Sequence, residues 1–395
     1  MHFAAGAGKV SLVSHNGAGY HGAMSANLAG FRRVFASRRA VGFWLLSVAV
    51  IIIAMVVIGG LTRLTGSGLS ITQWDPIVGA IPPLNDAQWH DAFAKYQQIP
   101  QYRLENHGMT LEGFKGIFWW EWTHRLLGRL IGIVFFVPFV IFAWSGAIAR
   151  SEWPRMVLLF ALGGLQGFVG WWMVQSGLET RVSVSQYRLA IHLGVAIVLL
   201  GAILWTALQY LRIPSPPRSG GKGQGEGAAQ DVRHPLTPAL SPGGGEGVRI
   251  LSLLLVALVY VQMLLGALVA GLHAGLIYNT WPSMDGRVFP ELKFTWTSFF
   301  EDPGLAQFDH RMGAYIVFIV AMALTGMVHG RKLGGYAAKA ASLVGGLVLF
   351  QAGLGIATLL WQAPLGLSAL HQLTAALLFS AAVWQTFELR YAFKA

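Results

Sequence analysis

The chain has 395 residues and a formal net charge of +11, a length that in a soluble protein would suggest about two or three domains. Only 11% of it is charged, against about 25% in a typical soluble domain, and 54% is apolar, so the charge needed to cover a soluble surface is missing. Cysteine is absent, which excludes disulfides, thiolate metal sites, iron–sulfur clusters and covalent c-type heme attachment, and leaves His, Met, Tyr and carboxylates to hold any cofactor.

Residues 1–39 form a Gly/Ala-rich basic extension with no acidic residue. It reads as an extended bacterial N-terminus in which Met24 is a second candidate start, with a mitochondrial transit peptide as the weaker alternative. Eight apolar runs then follow, each long enough to cross a hydrocarbon core of about 30 Å as helix. They are Val41–Leu61, Ile117–Trp144, Met156–Val174, Leu189–Leu211, Ile250–Leu272, Met312–Val328, Ala340–Trp361 and Leu365–Phe387. Between the first two, Asn85 or Asp86 is placed to cap a short helix carrying Trp89, Phe93 and Tyr96 on one face, a pattern for a helix on the bilayer surface or over a pocket. Residues 213–249 are a low-complexity Gly/Pro-rich linker between the fourth and fifth spans. The expected fold is an all-α polytopic membrane protein, with a first four-helix bundle in residues 40–212 and a second in 250–395.

An even number of spans puts both termini on one side. The segments on that side hold 17 Lys/Arg and 5 Asp/Glu, whereas the opposite loops and helix mouths hold 11 and 12. The Lys/Arg bias places the termini in the cytoplasm, or in the matrix of an organelle. The basic charge is thus a topology signal, and no nucleic-acid partner is implied.

The two halves repeat. Gly59–Pro83 aligns without gaps on Gly266–Pro290, with Gly59/Gly266, Gly68/Gly275 and Trp74/Trp281 among the identities. His124-Arg125 then matches His310-Arg311, Gln166…Gly170 matches Gln351…Gly355, and His192 matches His371. Four matches in the same order describe two bundles related by a parallel pseudo-repeat.

Of twelve His, only His124, His192, His310 and His371 fall at matching positions, each expected within about two turns of the outer face. Two imidazoles from facing helices in a bundle core suit bis-His ligation of a heme iron. Zinc is a poorer fit, since two His leave it short of ligands. Arg125 and Arg311 stand where they could pair with propionates. A lone intramembrane His is ordinarily a hydrogen-bonded packing residue; duplication at matched positions favours function. His2, His15, His21, His90, His107, His234, His273 and His329 read as solvated or interfacial.

The halves differ at one titratable position. Glu121 lies one helical turn before His124, while its counterpart is Gln307. A carboxylate beside a redox centre can exchange protons; the alternative is that Glu121 simply pairs with Arg125.

Gly60-Leu61-Thr62-Arg63-Leu64-Thr65-Gly66-Ser67-Gly68-Leu69, Trp74…Pro82-Pro83 and Glu121-x-x-His124-Arg125, followed by His192, His310 and His371, resemble the heme A synthase family over nearly all of residues 40–390. The resemblance implies a membrane oxidoreductase that converts a porphyrin methyl of heme O to the formyl of heme A by successive hydroxylations. It implies that His124 and His192 line the substrate heme site, that His310 and His371 ligate a heme b, and that Glu121 is the catalytic glutamate. It further implies a bacterial inner membrane location, heme O delivered by a heme O synthase, cytochrome oxidase assembly factors as partners, and room for a homo-oligomer. The chain resembles the cysteine-free branch, so no loop disulfide takes part. The rival from another class is a diheme bis-His electron-transfer cytochrome, which has no use for the Glu121/Gln307 asymmetry. A transporter fits less well, because the four His cluster toward one face.

Overall fold

Away from water a backbone must satisfy its own polar groups, so long apolar runs become helices. The computed structural model describes residues 37–179, 181–212, 242–289 and 295–393. The N-terminal extension with Met24, His2, His15 and His21, and the linker through residue 241 with His234, lie outside the described residues. Among the described residues, eight helices are long and apolar enough to cross a membrane, and the only strand-like pairing is one isolated bridge, Met284 to Arg287.

In chain order the helices are α1 (Arg38–Leu64), α2 (Asp86–Tyr96), α3 (Pro100–Leu104), α4 (Leu111–Trp144), α5 (Trp153–Leu178), α6 (Gln186–Leu211), α7 (Pro242–Gly271), α8 (Ser298–Glu301), α9 (Pro303–Gly330), α10 (Gly335–Leu360) and α11 (Leu365–Ala392). The long helices overrun the apolar segments at their polar ends. Helix α4 starts at Leu111 rather than Ile117, capped by the Thr110 hydroxyl accepting from the Gly113 N–H at 3.2 Å. Helix α9 starts at Pro303 rather than Met312, capped by Asp302 accepting from the Leu305 N–H at 2.7 Å. Helix α7 starts at Pro242, so the end of the expected linker is helical. Apolar runs mark hydrocarbon, whereas caps and backbone hydrogen bonding mark helix, and the two need not coincide. His192 and His371 therefore stand near the starts of α6 and α11, as expected, but His124 lies well inside α4.

Helices α1, α4, α5 and α6 close one ring of neighbours, and α7, α9, α10 and α11 close the other. The rings meet where α6 packs on α7, α1 on α11, and α6 on α11. The first two of these pairings exchange under the pseudo-repeat and the third maps onto itself, as in an isologous two-fold interface. Small residues permit the approach: a Cβ on Gly201 of α6 would lie 3.2 Å from the Phe379 ring of α11, and one on Gly194 would lie 2.9 Å from the Tyr260 hydroxyl of α7. In a bilayer such close contact, rather than exclusion of water, holds helices together. At the outer end Arg63 of α1 ties the halves by donating to the Ala270 carbonyl at 3.0 Å, with His273 Nε2 at 2.7 Å. Burial and this guanidinium hold His273 below the ordinary histidine range.

The outer loop of the first half is itself packed. Asn85 caps α2 by accepting from the Gln88 N–H at 3.0 Å. Trp89 and Tyr96 are buried with Leu69, Ile99, Phe114, Phe118 and Val184. The apolar face of α2 is thus committed to protein above the first bundle, which corrects the surface-anchor reading and keeps the covering one.

Replacing Gly201 by Leu should force α6 from α11 and destabilise the protein by about 1–3 kcal/mol. Thermal unfolding in detergent should show a lower midpoint for this variant. Gly164→Leu, where a Cβ meets nothing within 4 Å, should leave the midpoint near wild type; equal effects would contradict the interface.

Candidate functional site

The segment Glu121-x-x-His124-Arg125 puts all three side chains along one flank of α4, and Gln307-x-x-His310-Arg311 does the same on α9. The two arginines make equivalent contacts. Arg125 Nη2 donates to the Ile71 carbonyl at 2.7 Å and Nη1 to the Gln73 carbonyl at 2.8 Å. Arg311 Nη2 donates to the Tyr278 carbonyl at 2.7 Å and Nη1 to the Thr280 carbonyl at 3.0 Å. Tyr278 and Thr280 are the repeat counterparts of Ile71 and Gln73, so the duplication extends to individual hydrogen bonds. Each arginine is a clamp that holds its outer loop on the helix carrying the histidine. Both guanidiniums bind the loops, and Arg125 also binds the Glu121 carboxylate and lies 5.8 Å from the centre of the Trp74 ring.

Glu121 completes the first clamp. It is 2% exposed, and its Oε1 accepts from Arg125 Nη2 at 2.6 Å and Nε at 3.0 Å. Its Oε2 accepts from the Ser70 hydroxyl at 2.7 Å and the Ile71 N–H at 2.8 Å. Four donors thus converge on one buried carboxyl group. In the second half Gln307 donates to the Tyr278 carbonyl at 3.2 Å, and its Oε1 is buried with no partner among the described residues. Asp309 does not take the Glu121 position.

Each of the four histidines lies against a glycine of a neighbouring helix. A Cβ on Gly59 would lie 3.0 Å from His124 Nε2, and one on Gly266 3.2 Å from His310 Cε1. Gly170 and Gly355 stand likewise 2.9 and 3.0 Å from the Cε1 atoms of His192 and His371. Gly59 matches Gly266 and Gly170 matches Gly355, so removal of a Cβ recurs wherever an imidazole must fit between helices. Glutamine amides hold three of the rings. Gln166 Nε2 lies 3.1 Å from His192 Nδ1 and donates to the His192 carbonyl at 3.0 Å. Gln351 Nε2 donates to the His371 carbonyl at 3.0 Å and lies 3.5 Å from Nε2, not Nδ1, of that ring. Gln262 Nε2 lies 3.0 Å from His310 Nδ1 and donates to its carbonyl at 2.8 Å.

The His310 and His371 rings are 6.4 Å apart between centroids, with an interplanar angle of 77°. Two imidazoles on opposite sides of one metal, at bonds of about 2 Å each, have ring centres separated by about that distance. His371 Nδ1 is buried with no hydrogen-bond partner among the described residues, an orphaned nitrogen of the kind a ligand would satisfy. No group of three or more His, Cys, Asp or Glu suited to a bare metal ion occurs among the described residues, so a cofactor bringing its own equatorial ligands suits these pairs better than zinc. The residues fit a bis-His heme.

The remaining His are elsewhere: His90 and His107 are exposed on the outer loop, and His329 lies 3.0 Å from the Ser342 hydroxyl. A polar recess of about 350 Å³ lined by Gln175, Ser176, Glu179, Arg181, Ser185 and Arg188 opens near the outer ends of α5 and α6 and includes none of the four. Sequence reading did not single out Ser70, Gln262 or Met55. Gln166 and Gln351 were visible only as repeat matches, and Gln262 was hidden because its counterpart is Met55.

Replacing Arg125 by Ala strands the buried Glu121 charge and releases two loop carbonyls, at a cost of about 3–5 kcal/mol. Hydrogen exchange at residues 66–80 should rise in that variant. Adding Glu121→Met should recover part of the lost stability; a double variant no more stable than Arg125→Ala would contradict the clamp.

Comparison with known proteins agrees with this duplicated architecture. Residues 42–383 match the family model for the cytochrome oxidase assembly protein COX15-CtaA. A protein of Parvibaculum lavamentivorans named Heme A synthase is 44% identical over 358 residues, covering 90% of this chain and 95% of its own length. One of Bradyrhizobium diazoefficiens with the same name is 46% identical over 357 residues, covering 88% and 91%. One of Rhodopseudomonas palustris, also so named, is 48% identical over 354 residues, covering 88% and 90%. The chain belongs to the COX15-CtaA family of cytochrome oxidase assembly proteins.

Proposed function

We propose that this chain is a membrane oxidoreductase that converts heme O to heme A, the reaction for which its relatives are named. The observation that carries the assignment of sites is a duplicated His pair whose two copies differ at Glu121 and Gln307. The first half, with the carboxylate, is the substrate site: His124 and His192 hold the heme O iron and α2 covers the outer side. The second half, with a neutral amide at the same position, is the resident site: His310 and His371 hold a heme b. When bound, that heme supplies a one-electron centre beside the reaction. The diheme carrier reading is not favoured, since the named relatives are synthases.

Glu121 acts as a fixed hydrogen-bond acceptor beside the substrate. Its two oxygens already accept four hydrogen bonds, so it is built to stabilise positive charge developing at the substrate and to orient the loop above it. Each hydroxylation replaces a C–H bond of the methyl with C–OH from water, passing two electrons to an external one-electron acceptor and two protons to solvent, and the gem-diol formed after the second then loses water to leave the formyl group. A negative potential close to that carbon favours the step. Arg125 and Arg311 serve both hemes through the loops they hold.

The Lys/Arg asymmetry orients both termini toward the cytoplasm in a bacterial inner membrane, which places the four His near the opposite face. Heme O from a heme O synthase and hand-over of heme A to cytochrome oxidase assembly factors follow from the same reading, and a homo-oligomer is compatible with it.

Glu121→Gln makes the first half resemble the second. It should lower heme A formation in membranes by at least about 100-fold, the scale of removing one preorganised electrostatic group, while the bis-His optical spectrum of the second half remains. Normal heme A yield would reduce Glu121 to a structural role. His310→Ala should remove that bis-His spectrum, and an unchanged spectrum would contradict the second-half assignment.

A further inference from the structure

A heme carries two carboxylates on one edge, and a site that grips it must answer those charges as well as the iron. The arginines of the two clamps, Arg125 and Arg311, are engaged with loop carbonyls. A second pair, Arg181 and Arg188, lines the polar recess at the outer ends of α5 and α6. Arg188 precedes His192 by one helical turn, so it leaves α6 on the same flank as that imidazole, nearer the outer face. Its guanidinium is fixed from α5, where Nη1 donates to the Trp172 carbonyl at 2.6 Å and the group lies 4.4 Å from the Trp172 ring centre. Two residues earlier on the same helix is Gly170, against which the His192 ring rests. Imidazole and guanidinium are thus seated side by side on one turn of α5.

The recess has donors to spare. Among the described residues neither arginine forms an ion pair, and Arg188 Nε and Nη2 have no protein partner. Arg181 Nη2 donates to Gln186 Oε1 at 3.0 Å. Ser185 is 7% exposed, yet its hydroxyl lines the recess with no protein partner among the described residues. Glu179 is the one carboxylate of the lining and is exposed, so the recess keeps a positive balance. A guanidinium fork beside a hydroxyl is the donor set for a carboxylate. The second half has no such set. Leu367 stands at the position of Arg188 and Pro364 at that of Ser185, and no charged residue occurs between Lys339 and Glu388.

We propose that this recess is a carboxylate subsite of the first half, in which Arg188, Arg181 and Ser185 receive a propionate of the heme bound there. The inference rests on the reading that His124 and His192 hold the substrate heme iron. It lets the charged edge of the heme stay at the outer surface while the apolar macrocycle lies between helices, so no carboxylate is buried in hydrocarbon. Because the recess opens to water, the contact is weak enough to be exchanged, as a heme that must leave requires. A lipid phosphate offers the same charge, but the shared turn of α5 ties this recess to the His192 ring.

The test titrates purified protein, holding its heme b, with heme O and with heme O dimethyl ester in phospholipid-free detergent, following the optical change on binding. Esterification removes both negative charges and leaves the iron, macrocycle and tail unchanged. Arg188→Leu, which installs the second-half residue, should weaken binding of heme O by about tenfold or more, the scale of hydrogen bonds to a charged group. It should change binding of the ester by less than about twofold, so that the two losses form a double-mutant cycle. Arg181→Gln should act in the same direction by a smaller factor, and it decides alone if Arg188→Leu fails to fold. Equal losses for heme O and its ester in both variants, or no loss in either, would overturn the proposal. A loss that appears only when anionic phospholipid is added would also overturn it, by assigning the recess to a lipid phosphate. Failure of the wild-type protein to bind either heme O or the ester would overturn the heme-site reading instead.

Discussion

An imidazole within a membrane bundle needs room between helices and a partner for each ring nitrogen. Much of this structure follows from meeting the first demand four times and the second in part. Room comes from Gly59, Gly170, Gly266 and Gly355, which each lie opposite one ring. Gln166 and Gln262 reach Nδ1 of His192 and His310, and Gln351 holds the His371 carbonyl. The His310 and His371 rings stand 6.4 Å apart, the spacing on which the proposed heme site rests.

The outer loops are the second layer of the same design. Arg125 and Arg311 bind the chain after α1 and α7 through carbonyls at equivalent positions, so the ends of the histidine-bearing helices cannot open independently of the loops above them. Only the first clamp contains a buried carboxylate. A buried ion pair adds little net stability over an apolar substitute, so retention of Glu121 where Gln307 suffices in the other half points to a use beyond folding. The extra packing of Trp89 and Tyr96 on α4 lies over the same half. Charge and cover coincide at one of two otherwise matched sites.

Much of this was legible in the sequence because membranes impose strong patterns. Apolar length fixed the eight spans, and an ordered set of matches, including His124/His310 and His192/His371, revealed the duplication. Helix ends were less legible, since α4, α7 and α9 continue through polar residues such as Lys115 and Gln307 that no hydropathy window joins to a span. The pairing of Glu121 with Arg125 was legible from their one-turn spacing, but sequence does not reveal that backbone carbonyls of a distant loop fold over both arginines. Gln262 escaped because symmetry was the guide and it is where symmetry fails.

The central claim is that paired histidines hold one resident and one transient heme. Pigment extraction from the purified wild-type protein, with chromatographic identification of heme b, O and A, tests it most directly. The account predicts about one heme b per chain, and heme O or heme A in smaller and variable amount. A colourless protein from heme-replete cells, or two equivalents of heme b held equally firmly, would contradict it.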